Sequence, residues 1–413
     1  MSQLLLHTPE GVRDLYHAEF ERKEHMEHHM KQVMQTYGFH QLMTPTFEYF
    51  DIFNKERGTV ASRDMYKFVD RDGETLVLRP DMTPQAARCF AKYFKQETLP
   101  VRLFYHGSVF VNYSEYQGKL KESTQIGAEL YNDPSVSADA EMVALMTDCL
   151  KAAGLEKFQI VIGAADYFRA LTEEAALSEE EICSLREQIE KKNRFGVEKL
   201  LEEKQIEPLL RESFLKISNH LGSIASISEL KENTKNEKAV AALQRLEELY
   251  QELCLYGKEG RISFDLGMLS QFDYYTGVMF RAYTHGTGEA VAAGGRYDRL
   301  VGQFGKDTAA IGIALYADQI MTALHRQGRV EELPANATLI LYRQTAKEKA
   351  LGLAKQFRAD NMEVVVMATG EEMSEKWMEY GKRIGAGGIL FLENPTQVQV
   401  WNLEDGTCQV TVM

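Results

Sequence analysis

The chain has 413 residues, enough for two or three domains, each with its own hydrophobic core. Its 44% hydrophobic and 26% charged content is that of a globular protein. A net charge of −14 argues against a broad nucleic-acid footprint, which needs a basic surface to neutralise phosphates. The cysteines Cys89, Cys149, Cys183, Cys254 and Cys408 are odd in number, widely spaced and form no C-x-x-C pair, so neither a disulfide framework nor a zinc site is expected. MSQLLLHTPEG lacks the basic-then-apolar pattern of a secretory leader. Apolar runs such as Val364–Met367 and Ile389–Leu392 are too short to span a bilayer, so a cytoplasmic location without membrane contact is expected.

In chain order, residues 17–37 read as a helix, with Met26, Met30, Val33 and Tyr37 at three- and four-residue spacing. Strand texture follows at 41–46, 65–68, 75–79 and 101–105, and RDGET between two of these predicts a hairpin turn. A helix is expected over 138–153, stopped by Gly154. From about 163 to 260 the chain becomes charged and poor in strands, which reads as a helical insertion. Within it Ser178 and Glu181 have capping-box spacing, and Ile182, Leu185 and Ile189 share one helical face. Strands return at 261–265, 278–283 and 290–293, followed by GGRYD, read as a glycine-rich turn, and by a helix to about His325. RQGRVEELPANA has the look of a linker. Beyond it strands and helices alternate over 337–413, which suggests a compact α/β domain with a mostly parallel sheet and a last hairpin turning at Asp405-Gly406.

Polar groups fall on or beside predicted strands in LRPDMT (78–83), STQIGAE (123–129), FDYYTG (272–277) and AGGRYD (293–298). Alternation sends Gln125, Gly127 and Glu129 to one face of a strand. A buried glutamine and carboxylate need partners, which a bound ammonium or imidazole would supply as well as a structural arginine. Singly, each segment is better explained as structural, and their combination points to a site. Other features have plainer readings. His25, His28 and His29 read as a solvated helix face and not a metal site. Gly286, Gly288, Gly294 and Gly295 read as tight strand turns and not a phosphate loop. Glu179–Glu181 favour a helix N-terminus through its dipole. No metal or cofactor is expected.

From end to end the chain resembles histidyl-tRNA synthetase, through TPEGVRDL (8–15), YGFHQLMTP (37–45), LRPDMT, QIGAE, DYYTG and GGRYDRLV (294–301). The resemblance implies an α+β fold: a class II aminoacyl-tRNA synthetase-like core over 1–325, with an antiparallel sheet, flanking helices and the insertion at 163–260. A linker at 326–336 and a C-terminal α/β domain resembling the anticodon-binding domain (337–413) complete it. Pro45 matches the dimer-interface proline of the first class II motif. Carried over residue by residue, Asp81 (where that family has Glu), Thr83 and Gln125 would meet the ammonium of histidine. Glu129 and Tyr275 would take its imidazole nitrogens, and Tyr297 would close the pocket.

The ATP half of the family pattern is missing. Phe110-Val111-Asn112-Tyr113 stands where the second motif begins Phe-Arg-x-Glu, so the α-phosphate arginine is Val111. The third-motif arginine is Gln319, and the histidine-specific arginine before DYY is Ser270. Adenylation builds negative charge at phosphorus that fixed cations must stabilise, so the substitutions imply no catalytic residue and no aminoacylation. This pattern, with VIGAADYFRALTE (161–173), is similar to the regulatory subunits of ATP phosphoribosyltransferase. That resemblance implies a non-catalytic chain, self-dimerising within a hetero-oligomer with a short catalytic subunit in the first step of histidine biosynthesis, with L-histidine as inhibitory effector. A divergent synthetase and a tRNA-binding pseudo-synthetase are the alternatives. Residues 337–413 hold eight basic and ten acidic residues, a poor electrostatic case for tRNA.

Overall fold

The structure, a computed structural model, describes residues 6–53, 60–114, 118–219, 222–232, 234–269 and 275–412. It divides into two compact units, Met1–Val330 and Glu331–Met413. In chain order the first unit contains α1 (His17–Thr36), β1 (His40–Leu42), β2 (Phe47–Tyr49), β3 (Lys67–Val69), β4 (Thr75–Leu78), α2 (Thr83–Tyr93), β5 (Val101–Phe110), β6 (Glu122–Tyr131), α3 (Val136–Ala152) and β7 (Gln159–Ala164). Six helices follow: α4 (Ala165–Glu174), α5 (Glu179–Glu190), α6 (Arg194–Glu203), α7 (Pro208–Asn219), α8 (Ile224–Glu232) and α9 (Glu237–Leu255). The unit closes with β8 (Ile262–Phe264), β9 (Val278–Tyr283), β10 (Ala292–Arg296), β11 (Ala310–Tyr316) and α10 (Ala317–Arg326).

Eight strands form one sheet in the order β1-β5-β6-β11-β10-β9-β7-β8. Its pairs are antiparallel except β1 with β5 and β7 with β8. Strand alternation separates two faces. Phe104, Ile126, Ala128, Leu130, Phe280 and Ile313 join Met30, Met142, Leu145 and Leu243 in the core beneath the helices. Burial of such side chains stabilises by roughly 1.5–3 kcal/mol each. The other face carries the polar residues singled out above. The predicted hairpin at RDGET is β3–β4, with Gly73 at φ +90° in its turn. The predicted capping box closes: Ser178 N–H donates to Glu181 Oε2 at 2.8 Å and Glu181 N–H to Ser178 Oγ at 3.4 Å. Gly154 ends the α3 segment with φ +95°.

Gly294 and Gly295 do not form a turn. Both lie inside β10, where a side chain at Gly295 would sit 2.7 Å from the Tyr275 ring and one at Gly294 would strike Gly312 O and the Phe280 ring. They are glycines because neighbours press on the strand. His25, His28 and His29 are exposed.

The second unit contains β12 (Ala337–Tyr342), α11 (Lys347–Ala359), β13 (Val364–Ala368), α12 (Glu375–Arg383), β14 (Ala386–Asn394), β15 (Gln397–Asn402) and β16 (Cys408–Val412). Its sheet order is β13-β12-β14-β15-β16. Only the β12 pairs are parallel, so the sheet is mixed where a mostly parallel one was expected. The reason is a second tight turn: Asn394 Oδ1 accepts from Thr396 N–H and Gln397 N–H, both at 3.0 Å, and folds β15 back on β14.

Candidate functional site

The polar face of the large sheet has a floor that its register defines. Leu103, Glu129, Gly312, Gly295 and Met279 stand opposite one another on β5, β6, β11, β10 and β9. One step along β6, Gly127 faces Tyr105 and Ala314, and a further step brings Gln125 opposite Gly107 and Tyr316. Glycine at these places makes room. A Cβ on Gly312 would collide with the Glu129 carboxylate, and one on Gly127 with the Tyr105 ring. Side chains therefore lie across bare backbone instead of standing off it.

Five of the six expected pocket residues come together in one buried network. Asp81, from the turn before α2, accepts at Oδ1 from Met82 N–H at 2.7 Å and from Gln125 Nε2 at 3.0 Å. Gln125 Oε1 is buried and accepts nothing from the described residues, so beside Asp81 an acceptor is left for a donor such as an ammonium group. Thr83, the first residue of α2, is 3.2 Å from the Tyr105 hydroxyl, which donates to Glu129 Oε1 at 3.0 Å. The Tyr297 hydroxyl donates to Glu129 Oε2. Tyr275, the sixth, lies against Gly295 in the same apolar cluster as Tyr297 and Met279.

Glu129 is 1% exposed. Burial pushes its carboxyl up to about 8; hydrogen bonds from Tyr297, Thr83 and Tyr105 oppose the rise and the Asp81 charge adds to it. The phenols of Tyr105 and Tyr297 are pushed well above their usual range by burial and then by the Glu129 charge. The arrangement can therefore hold a shared proton against a ring nitrogen, with a cation-accepting corner at Asp81 and Gln125.

Two supports hold the walls. Arg296, at the end of β10, points to the helix side and donates to Asp139 Oδ1 through Nε at 2.9 Å and Nη2 at 2.6 Å. Arg245 of α9 donates to Asp139 Oδ2 at 2.7 Å. That triad, with Asp139 and Arg296 buried and Arg245 partly exposed, pins the residue before Tyr297 to α3 and α9. Arg169 of α4 donates to Tyr275 O at 3.0 Å and Thr276 O at 3.4 Å, and Thr276 N–H to Arg296 O at 2.8 Å. Around the expected dimer proline, Pro45 O accepts from Gln85 Nε2 at 3.0 Å and Arg79 Nη1 at 3.3 Å.

Val111 and Gln319 are half-buried, on the loop after β5 and in the first turn of α10. Two lysines of the same region are paired. Lys119 pairs with Glu289 at 2.9 Å, and Lys23 with Asp318 at 2.7 Å, while Asp318 Oδ2 also accepts from Thr124 N–H at 2.7 Å. Ser270 lies outside the described residues. Among the described residues no group of His, Cys, Asp and Glu could hold a metal, and no helix is long and apolar enough to cross a membrane.

Sequence reasoning missed Tyr105, Gly312 and the two arginine supports. Tyr105 is recognisable only through its pairing with Gly127, a register set by contacts between distant strands.

The family model for histidyl-tRNA synthetase matches residues 11–320. The chain is 35% identical to the ATP phosphoribosyltransferase regulatory subunit of Ruminiclostridium cellulolyticum over 413 residues, covering 100% of this chain and 98% of the relative. It is 37% identical to that of Acetivibrio thermocellus over 407 residues, 98% of this chain and 97% of the relative. The chain belongs to the ATP phosphoribosyltransferase regulatory subunit family. The regulatory-subunit fold is shared with solved structures. An ATP phosphoribosyltransferase regulatory subunit/histidyl-tRNA synthetase from Bacillus halodurans aligns with TM-score 0.82 at 28% identity, covering 94% of this chain and 98% of the other. Histidyl-tRNA synthetase from a Nostoc species aligns with TM-score 0.82 at 19% identity, covering 98% and 96%, which shows the class II synthetase-like fold alone.

Proposed function

We propose that this regulatory subunit activates a short-form catalytic subunit of ATP phosphoribosyltransferase, and that L-histidine held by Asp81, Thr83, Gln125, Glu129, Tyr275 and Tyr297 is the inhibitory signal. One contrast carries the reading. Asp81, Thr83, Gln125, Glu129 and Tyr297 are joined in one buried hydrogen-bond network, while the positions that would clamp ATP phosphates hold Val111 and Gln319. An enzyme that activated histidine would need cations where phosphorus gains charge; losing one preorganised donor typically costs on the order of 10²–10³ in rate. Histidine is then bound without being adenylated.

A self-dimer fits the same reading. Met43 (89% exposed) lies next to Pro45, and Phe47, Tyr49 and Phe68 share one face of the small sheet β2-β4-β3, with Phe47 and Phe68 in edge contact at 5.9 Å between centroids. An apolar surface of this kind is what a second copy of the chain would cover.

The test is phosphoribosyl transfer from phosphoribosyl pyrophosphate to ATP by the matching catalytic subunit, with and without this chain and across a histidine titration. Activity that needs the chain and falls with histidine is expected. A rate and histidine response indifferent to the chain would overturn the reading. Histidine-dependent pyrophosphate exchange by the chain alone would favour the divergent synthetase instead.

A further inference from the structure

Arg281 lies on the pocket face of β9 and has no part in the network above. Register places it: Tyr105, Gly127, Ala314, Ala293 and Arg281 stand in one row across β5, β6, β11, β10 and β9. Residues opposite one another in a sheet project from the same face. The neighbours of Arg281 on β9 agree: Phe280 and Ala282 are buried in the helix-packed core, and Met279 joins the cluster of Tyr275 and Tyr297. Between Gly127 and Arg281 the row contains only Ala314 and Ala293, so a trough with low walls crosses β11 and β10. It runs from the Asp81–Gln125 corner toward the guanidinium. Three strand spacings make it about 14 Å long. An extended arginine side chain spans roughly 6 Å of that, which leaves room for the backbone end of one amino acid.

The electrostatics of the trough are shared along its length. Tyr316, opposite Gln125, has its phenol raised by burial and by the Asp81 charge, while Arg281 opposes the rise, so both charges bear on one group. Arg281 is half-buried and donates no hydrogen bond to a described residue; Glu190 of α5 feels its charge, after that of Arg186. Arg169 is committed to the carbonyls of Tyr275 and Thr276.

We propose that Arg281 is the carboxylate-binding residue of the amino-acid pocket, doing from β9 what an arginine at position 270 would otherwise do. The assignment rests on the reading of the pocket as an amino-acid site. It gives the site opposite charges at its two ends, so the ligand class is an α-amino acid zwitterion and not a free amine.

Calorimetric titration of the full chain with L-histidine and with histamine, which lacks the carboxylate, tests this. The intact chain is expected to prefer histidine by about 10- to 100-fold, the range of a charge-assisted hydrogen bond. Arg281→Gln should bring the ratio close to 1 with histamine affinity unchanged, and Arg281→Lys should restore part of it. A wild-type preference that survives in Arg281→Gln overturns the assignment and leaves the pocket standing. Equal wild-type affinity for the two ligands also overturns it. Failure of the intact chain to bind either ligand instead sinks the reading of the pocket itself. If Arg281→Gln does not fold, the ratio in Arg281→Lys decides: an unchanged ratio counts against the proposal, a reduced one for it.

Discussion

Replacing Glu129 by glutamine separates the pocket's proton from its shape. The empty pocket carries a proton on Glu129 below about pH 8. The imidazole of free histidine carries one only below about pH 6.5. In the complex one proton lies between carboxyl and ring, whichever atom formally holds it. Between those limits binding exchanges no proton, and affinity is flat. Above pH 8 the empty pocket has lost its proton; with the ring N–H donated to Tyr275 and the bare nitrogen facing Glu129, the complex must take one up, so affinity falls tenfold per pH unit. Glutamine keeps the size and can still meet the Tyr105 and Tyr297 hydroxyls, but has no proton to lose. The ligand's own titrations affect both proteins alike and cancel in the ratio of wild-type to Glu129→Gln affinity. That ratio, measured by calorimetry from pH 6 to 9.5, should be constant to about pH 8 and then fall about tenfold per unit. A ratio independent of pH across the range would refute the argument. The same carboxyl bears on folding. Its pKa is raised from 4.5 to about 8 in the folded chain, so stability is fully present below about pH 4.5 and is lost as pH rises through 8. The loss is on the order of 5 kcal/mol. Glu129→Gln should therefore melt at a higher temperature than wild type above pH 8, with the gap closing toward pH 5.

Asp139→Asn leaves the buried Arg296 with only the partly exposed Asp298 carboxylate, 3.3 Å away, and should cost about 3 kcal/mol by urea denaturation; a change under 1 kcal/mol would show that the triad is not needed. Gly312→Ala puts a methyl into the Glu129 carboxylate, so histidine binding should be lost while far-ultraviolet circular dichroism stays native; retained affinity would contradict the glycine floor. Tyr49→Asp places a charge on the exposed apolar patch and should shift the chain to monomers in light scattering, whereas an unchanged mass would place the self-contact elsewhere.

Elements set by local chemistry were legible in the sequence. The capping box at Ser178, the hairpin at Gly73 and the stop at Gly154 each depend on a few adjacent residues. GGRYD was misjudged for the complementary reason. Glycine pairs usually punctuate loops, but Gly294 and Gly295 are set by the packing of Phe280, Gly312 and Tyr275 against β10, partners that no local window contains. The expected pocket shows the same division. Alternation in β6 put Gln125 and Glu129 on one face, but Tyr105 and Arg281 entered only once register across five strands was known. The mixed C-terminal sheet turned on one side chain, Asn394, which closes a two-residue loop that apolar periodicity does not reveal.

A pocket floored by bare backbone is easily silenced and hard to retune. Any residue but glycine at 127, 295 or 312 brings a Cβ into Tyr105, Tyr275 or Glu129, so single-codon changes there are expected to erase the effector signal while leaving distant surfaces intact. Under the function proposed above, such alleles would behave in a growing cell as overproducers, excreting histidine and resisting toxic histidine analogues. Selection for analogue resistance should therefore return substitutions at these three glycines more often than on the surrounding walls, where a changed side chain can still be accommodated.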